Sequence, residues 1–198
     1  MAEQQAIVAV LAGGQGTRMG AGAEKATVAL GARALICHPL AAARAAGLET
    51  VVVAKQATAL PPLGEQVLFE PDSPQHPLCG VVTALEFAAK RSPAPAVLML
   101  ACDMPFLTGA LLAWLAGLEG AVMVQVDGRP QPLLARWLPE HLHAVQEALD
   151  AKCSLRAAIS TLAPRIVAER ELSRFGDPAR LCFNVNDAED LARAEGLL

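Results

Sequence analysis

The sequence predicts a three-layer α/β/α fold on a mainly parallel sheet, and three observations lead there. Short apolar runs rich in branched residues alternate along the chain with alanine- and leucine-rich stretches of helical length. The first run, residues 6–11 (AIVAVL), breaks into a long glycine-rich loop rather than a hairpin turn. A later run, residues 96–101 (AVLMLA), leads directly into Cys102-Asp103-Met104-Pro105. Ligands of such sheets bind outside the carboxyl ends of the strands, so residues 13–20 and Asp103 mark the edge where chemistry is expected.

Each element follows in order. Residues 6–11 form a buried strand. Residues 34–46 form a helix that Gly47 stops. Thr50–Ala54 (TVVVA) is a second buried strand, completing a β-loop-α-β unit. Gln66–Phe69 is a short strand before the proline-rich loop 70–77, and residues 78–91 form a helix with Val81, Leu85 and Ala88 on one face. Residues 96–101 supply a central strand. Thr108 caps a helix reaching about residue 118. Residues 121–126 form a strand, Asp127-Gly128 a turn, and residues 132–136 its hairpin partner. Residues 139–151 and 154–162 are helical, 165–168 is a weak strand, and 188–198 is a closing helix. No repeat or linker divides the chain, so residues 1–198 are expected to form a single domain.

Composition narrows the function. The 198 residues carry 16 Lys+Arg against 20 Asp+Glu, a net charge of −4. No basic stripe argues for nucleic acid, although a local cluster of donors can still hold a phosphate chain. Mean hydropathy is +0.37, yet charges or prolines interrupt every apolar run before the ~18 residues of a spanning helix. No membrane association is therefore expected. Residues 1–5 carry Glu3 and no basic residue, unlike a secretory signal. The five cysteines are scattered without a C-x-x-C pair, which favours a reducing cytoplasm.

The loop Gly13-Gly14-Gln15-Gly16-Thr17-Arg18-Met19-Gly20 fails the dinucleotide fingerprint at Met19 and lacks the Gly-Lys-Ser/Thr of a P-loop. What remains is a set of exposed backbone amides with Arg18, and Lys25 shortly after. Amides in such a loop form a donor nest for phosphate oxygens. Arg18 adds a bidentate contact and Lys25 a point charge. A plain connection would need only ~2–6 residues. Asp103 is either a Mg²⁺ ligand bridging to substrate phosphates or an ordinary turn aspartate. Asp72 either offers acceptor oxygens to a ligand or caps its loop. Asn184 and Asn186 either orient an acceptor or satisfy strand-end backbone groups. Cys102 has no evident base and is read as packing, His38 as lying in or beside the core, and His141 and His143 point to different faces.

The residues Leu11-Ala12-Gly13-Gly14-Gln15-Gly16-Thr17-Arg18-Met19-Gly20 with Lys25 resemble the signature loop of nucleotidyltransferases with a glycosyltransferase-A-like fold. Within them the chain resembles the molybdenum cofactor guanylyltransferases. The likeness runs through residues 34–38, Glu70-Pro71-Asp72-Ser73, Pro77-Leu78-Cys79-Gly80, residues 101–107, Gln131-Pro132-Leu133 and Phe183-Asn184-Val185-Asn186-Asp187. It implies a Rossmann-like nucleotide-diphospho-sugar transferase fold. It also implies Mg²⁺-dependent transfer of GMP from GTP to molybdenum-bearing molybdopterin, with pyrophosphate leaving. By the resemblance, nucleotide contacts fall on Leu11, Ala12, Gly13, Gly14, Lys25, Asp72 and Asp103, and the metal on Asp103. Catalytic roles fall on Arg18, Lys25 and Asp103, and acceptor contacts on Asn184 and Asn186. Transient contact with molybdoenzymes or cofactor-handling proteins also fits such a product.

The chain departs from the family at four places. Glu24-Lys25 replaces Asp-Lys; Ala54, followed by Lys55, replaces an Asn; Gln75-His76-Pro77 replaces Pro-Gly-Pro; and Asp187-Ala188 replaces Thr-Pro. One nucleotide contact is thus missing or replaced at Ala54. The alternatives are a cytidylyltransferase or sugar-phosphate nucleotidyltransferase, and a non-catalytic nucleotide-binding adaptor. Gly13-Gly14 opposes the first, since cytidylyl relatives usually carry Ala-Gly there and glycine leaves room for a purine. Retention of Lys25 with Asp103 opposes the second.

Overall fold

The computed structural model describes residues 6–13 and 24–198. Its main sheet has seven strands: β1 (Ile7–Leu11), β4 (Thr50–Ala54), β5 (Gln66–Phe69), β6 (Val97–Ala101), β7 (Val122–Val126), β8 (Arg129–Trp137) and β9 (Arg165–Val167). A separate hairpin pairs β2 (Ala29–Leu30) with β3 (Arg33–Ala34). The order across the main sheet is β5-β4-β1-β6-β8-β7-β9. Only β8 runs against the rest, antiparallel to both β6 and β7. The mainly parallel sheet is as expected.

The alternation of the strands explains the layers, because successive side chains leave opposite faces. Val8, Val10, Val52, Leu98 and Leu100 point one way, against α1 (Cys37–Ala45) and α3 (Gly109–Ala116). Ile7, Ala9, Val51, Val53, Val97 and Met99 point the other way, against α2 (Pro77–Ala89), α4 (Leu142–Asp150) and α5 (Leu155–Thr161). Thr108 caps α3 by accepting from Leu111 N–H, and Ser154 caps α5 through Ala157 N–H. Among the described residues, no helix is long and apolar enough to cross a membrane.

Three differences from the sequence reading have local causes. The helix expected over residues 34–46 begins only at Cys37, because residues 29–34 close the β2–β3 hairpin. Gly31 supplies its left-handed turn residue at φ +58°. Residues 139–151 divide into a 3-10 turn, Pro139–His141, followed by α4. Two one-turn helices, α6 (Glu169–Leu172) and α7 (Pro178–Leu181), are too short to leave a periodic pattern. The closing helix, α8 (Ala188–Glu195), shares a small core with the hairpin, built from Leu30, Leu35, Val185 and Ala194. This satellite core brings the 184–187 segment back to the carboxyl edge of the sheet.

Candidate active site

Four neighbouring strands end in a row along one edge. β5 leads to Glu70, β4 to Lys55, β1 to Gly13, and β6 to Asp103. Three strand spacings of ~4.8 Å make this row about 14 Å long. A cavity of about 330 Å³ opens along it. Leu11, Gly13, Lys25, Cys102 and Asp103 line one end; Lys55, Glu70, Gln75, His76 and Pro77 line the other. The edge is fastened by backbone bonds from Ala12 N–H to Val53 O (2.8 Å) and from Cys102 N–H to Leu11 O (3.2 Å). Ala12 itself is buried and contributes this clamp rather than a surface.

At the β6 end, Lys25 Nζ lies 2.6 Å from Asp103 Oδ2 and donates to Asn186 Oδ1 at 3.0 Å. Both charged side chains are largely covered, 13% and 14% exposed. The 184–187 segment is fixed there by Val185 N–H donating to Asp103 O (2.9 Å) and by Asn186 N–H donating to Asp190 Oδ2 (3.0 Å). The Asn184 amide donates to Cys182 O at 2.9 Å. Of the expected asparagine pair, Asn186 thus joins the charged cluster and Asn184 serves its own backbone.

The other oxygen, Asp103 Oδ1, is buried and has no partner among the described residues. An orphaned carboxylate oxygen on a residue that lines a cavity fits a hard divalent cation. Mg²⁺ takes one or two carboxylates and completes its shell with water and substrate phosphates. It needs no closed cage of acids, and among the described residues no group of three or more His, Cys, Asp or Glu forms one.

At the β5 end the structure brings in a residue that motif matching passed over. Glu70, not Asp72, lines the cavity. Burial raises the Glu70 pKa above the usual carboxylate range, and the nearby Lys55 charge opposes that shift. Asp72 points to solvent; its backbone carbonyl accepts from Lys55 Nζ at 3.1 Å, beside Pro71 O at 3.0 Å. Lys55 thereby braces the 70–72 loop, and the buried Ala54 contributes no polar side-chain atom, only its carbonyl, which accepts from Glu70 N–H at 2.9 Å. The available signal was position, since Glu70 directly follows a strand whereas Asp72 follows a proline.

Gly14 and Arg18 lie outside the described residues. Gly13 is described, and a Cβ placed on it would collide with the Glu70 carboxylate. Burial pushes the Cys102 thiol up to about 12, with the Asp103 charge adding to the shift. It is no thiolate nucleophile, and packing is its role. His38 holds the hairpin through a 3.2 Å contact of Nε2 with Leu30 O.

A cavity along a row of parallel strand ends, with a lysine–aspartate pair at one end and a carboxylate at the other, is the arrangement of an α/β protein that handles a phosphorylated ligand. The sequence profile of the MobA-like NTP transferase domain matches residues 8–193. The chain belongs to that family, and it is a nucleotidyltransferase. It is 36% identical over 196 residues to the molybdenum cofactor guanylyltransferase of Cereibacter sphaeroides, covering 96% of this chain and 95% of that one. The Rhizobium johnstonii protein of the same name is 32% identical, covering 94% and 90%. The fold is similar to that of molybdopterin-guanine dinucleotide biosynthesis protein A from Archaeoglobus fulgidus (TM-score 0.77, 24% identity, 96% and 97% covered). It is also similar to 2-C-methyl-D-erythritol 4-phosphate cytidylyltransferase from Thermus thermophilus (TM-score 0.67, 21% identity, 98% of both chains).

Proposed function

We propose that the chain, acting as one domain over residues 1–198, transfers GMP from GTP to the terminal phosphate of molybdenum-bearing molybdopterin. The observation that carries this reading is the Lys25–Asp103–Asn186 cluster at the carboxyl edge, in a chain alike over nearly its whole length to named molybdenum cofactor guanylyltransferases. An acceptor phosphate oxygen attacks the α-phosphorus in line. The new P–O bond forms as the α–β bridge breaks, and pyrophosphate leaves with the electron pair. No protein nucleophile takes part, so the side chains position and neutralise.

The phosphates take the β6 end and the base the β5 end, because the row's length suits a nucleoside triphosphate laid along it. Gly13 and Gly14 let the backbone approach the nucleotide, and Arg18 with the loop amides holds the leaving pyrophosphate. Lys25, released from Asp103, neutralises charge between donor and acceptor phosphates. Asn186 keeps Lys25 aimed into the site. Asp103 is the residue that would hold Mg²⁺, through the unpartnered Oδ1. When bound, the ion supplies charge neutralisation on the triphosphate. Glu70 accepts from guanine N1–H and N2–H₂. Asp72 and Asn184 remain as outer contacts, to ribose and acceptor.

Incubation with Mg²⁺, molybdopterin and each NTP in turn, with products identified by mass, tests the reading. A guanine dinucleotide and pyrophosphate are expected from GTP. A cytosine dinucleotide from CTP, or no product at all with bound nucleotide, overturns it.

A further inference from the structure

We propose that His76 selects guanine by donating a hydrogen bond from Nε2 to the 6-carbonyl of the base. The inference rests on the guanylyl-transfer reading and on the placement of the base at the β5 end.

His76 caps α2: its Nδ1 accepts from Leu78 N–H at 3.2 Å. A ring nitrogen that accepts carries no proton, so the neutral imidazole holds its single proton on Nε2. The cap thus presets the tautomer, and half-buried His76, which lines both this cavity and the neighbouring one beside α2 and α4, has one ring donor to offer. Glu70 is close by. Its Oε2 lies 3.1 Å from the point a Cβ on Gly80 would occupy, and Gly80 stands about one helical turn of 5.4 Å beyond His76. A carboxylate acceptor and an N–H donor therefore share one wall.

Guanine is complementary to that pair. N1–H and N2–H₂ face the carboxylate, and the adjoining O6 faces the imidazole. Adenine and cytosine would turn an amino group toward Nε2–H, setting donor against donor and leaving both unpaired. Uracil keeps a carbonyl for His76 but sets its 2-carbonyl against the carboxylate.

Calorimetric titration with GTP, 6-thio-GTP and ITP, each with Mg²⁺, tests the assignment on wild type and His76→Ser. Serine keeps the cap and cannot reach the base. 6-Thio-GTP keeps N1–H and N2–H₂ but replaces O6 with a poor acceptor, whereas ITP lacks only the amino group facing Glu70. Wild type is expected to bind GTP roughly three- to tenfold tighter than 6-thio-GTP. His76→Ser should bind these two alike while keeping the wild-type preference for GTP over ITP. If serine fails to fold, His76→Asn, another good cap too short to reach, repeats the comparison. A capping variant that retains the full preference for GTP over 6-thio-GTP overturns the role of His76 and leaves guanylyl transfer standing. Wild type that binds CTP or ATP better than GTP overturns both.

Discussion

The two oxygens of Asp103 have different tasks: Oδ2 meets Lys25 at 2.6 Å and Oδ1 is left buried without a protein partner. Asp103→Asn keeps the side-chain shape and should keep the fold. It should lower Mg²⁺-dependent turnover by ~10²-fold or more, the usual effect of removing a charge-stabilising group; turnover at limiting Mg²⁺ is the measurement. Glu70 and Asp72 should separate cleanly. Burial raises the Glu70 pKa, so ionisation of this group costs folded-state stability once pH rises above the ordinary carboxylate range. Glu70→Gln is therefore expected to raise the melting temperature at neutral pH while weakening GTP binding. The exposed Asp72 should tolerate Asn with little change in either. Loss of GTP affinity in Asp72→Asn but not in Glu70→Gln would return the base-reading role to Asp72.

Strand ends and their loops carry the site, and they tolerate little added volume. Gly13→Ala places a methyl against the Glu70 carboxylate. Overpacking of this kind destabilises a fold by about 1–3 kcal/mol, so the melting temperature should fall, and GTP affinity should fall with it because Glu70 is displaced, with an unchanged circular dichroism spectrum. Unchanged affinity would make the loop a mere connector. The opposite edge is tied by Arg91, just past α2, which makes two 2.6 Å hydrogen bonds to Glu49 before β4. That pair lowers the Glu49 pKa. A lowered carboxylate contributes stability that is present above its unfolded-state pKa and lost as pH falls through the folded value. The Glu49 side chain is 51% exposed, so the pair is worth less than ~1 kcal/mol. Denaturant midpoints of wild type and Arg91→Met should differ slightly at pH 7 and converge in acid.

For the whole molecule, binding along the carboxyl edge engages four strand ends at once, so a ligand there stabilises the main sheet rather than one loop. GTP with Mg²⁺ at a hundredfold excess over Kd should stabilise the fold by about 2.7 kcal/mol, a rise of roughly 5–10 °C in melting temperature for a chain of this size. Scanning calorimetry reads it directly, and no shift would mean that GTP does not bind the native state. The strands, the major helices and the Thr108 cap were legible because each leaves a local pattern of period 2 or 3.6, or a marked terminus. Lys25 and Asp103 could be singled out because they stand beside a glycine loop or a strand end, and the fold brings them within 2.6 Å of each other at the cavity. The insertion of β8 between β6 and β7 was not, since sequence shows that a hairpin exists but not which neighbour its far strand joins. Nor could sequence pair Lys25 with Asn186, 161 residues away, or choose Glu70 over Asp72, two acids in one short loop. Local patterns depend on neighbours in the chain, so the sequence by itself determined the layers and the strand ends along which the cavity opens. Which carboxylate faces the cavity, and which asparagine reaches the lysine, depends on how the satellite core and the sheet edge meet. Only the tertiary structure decided that.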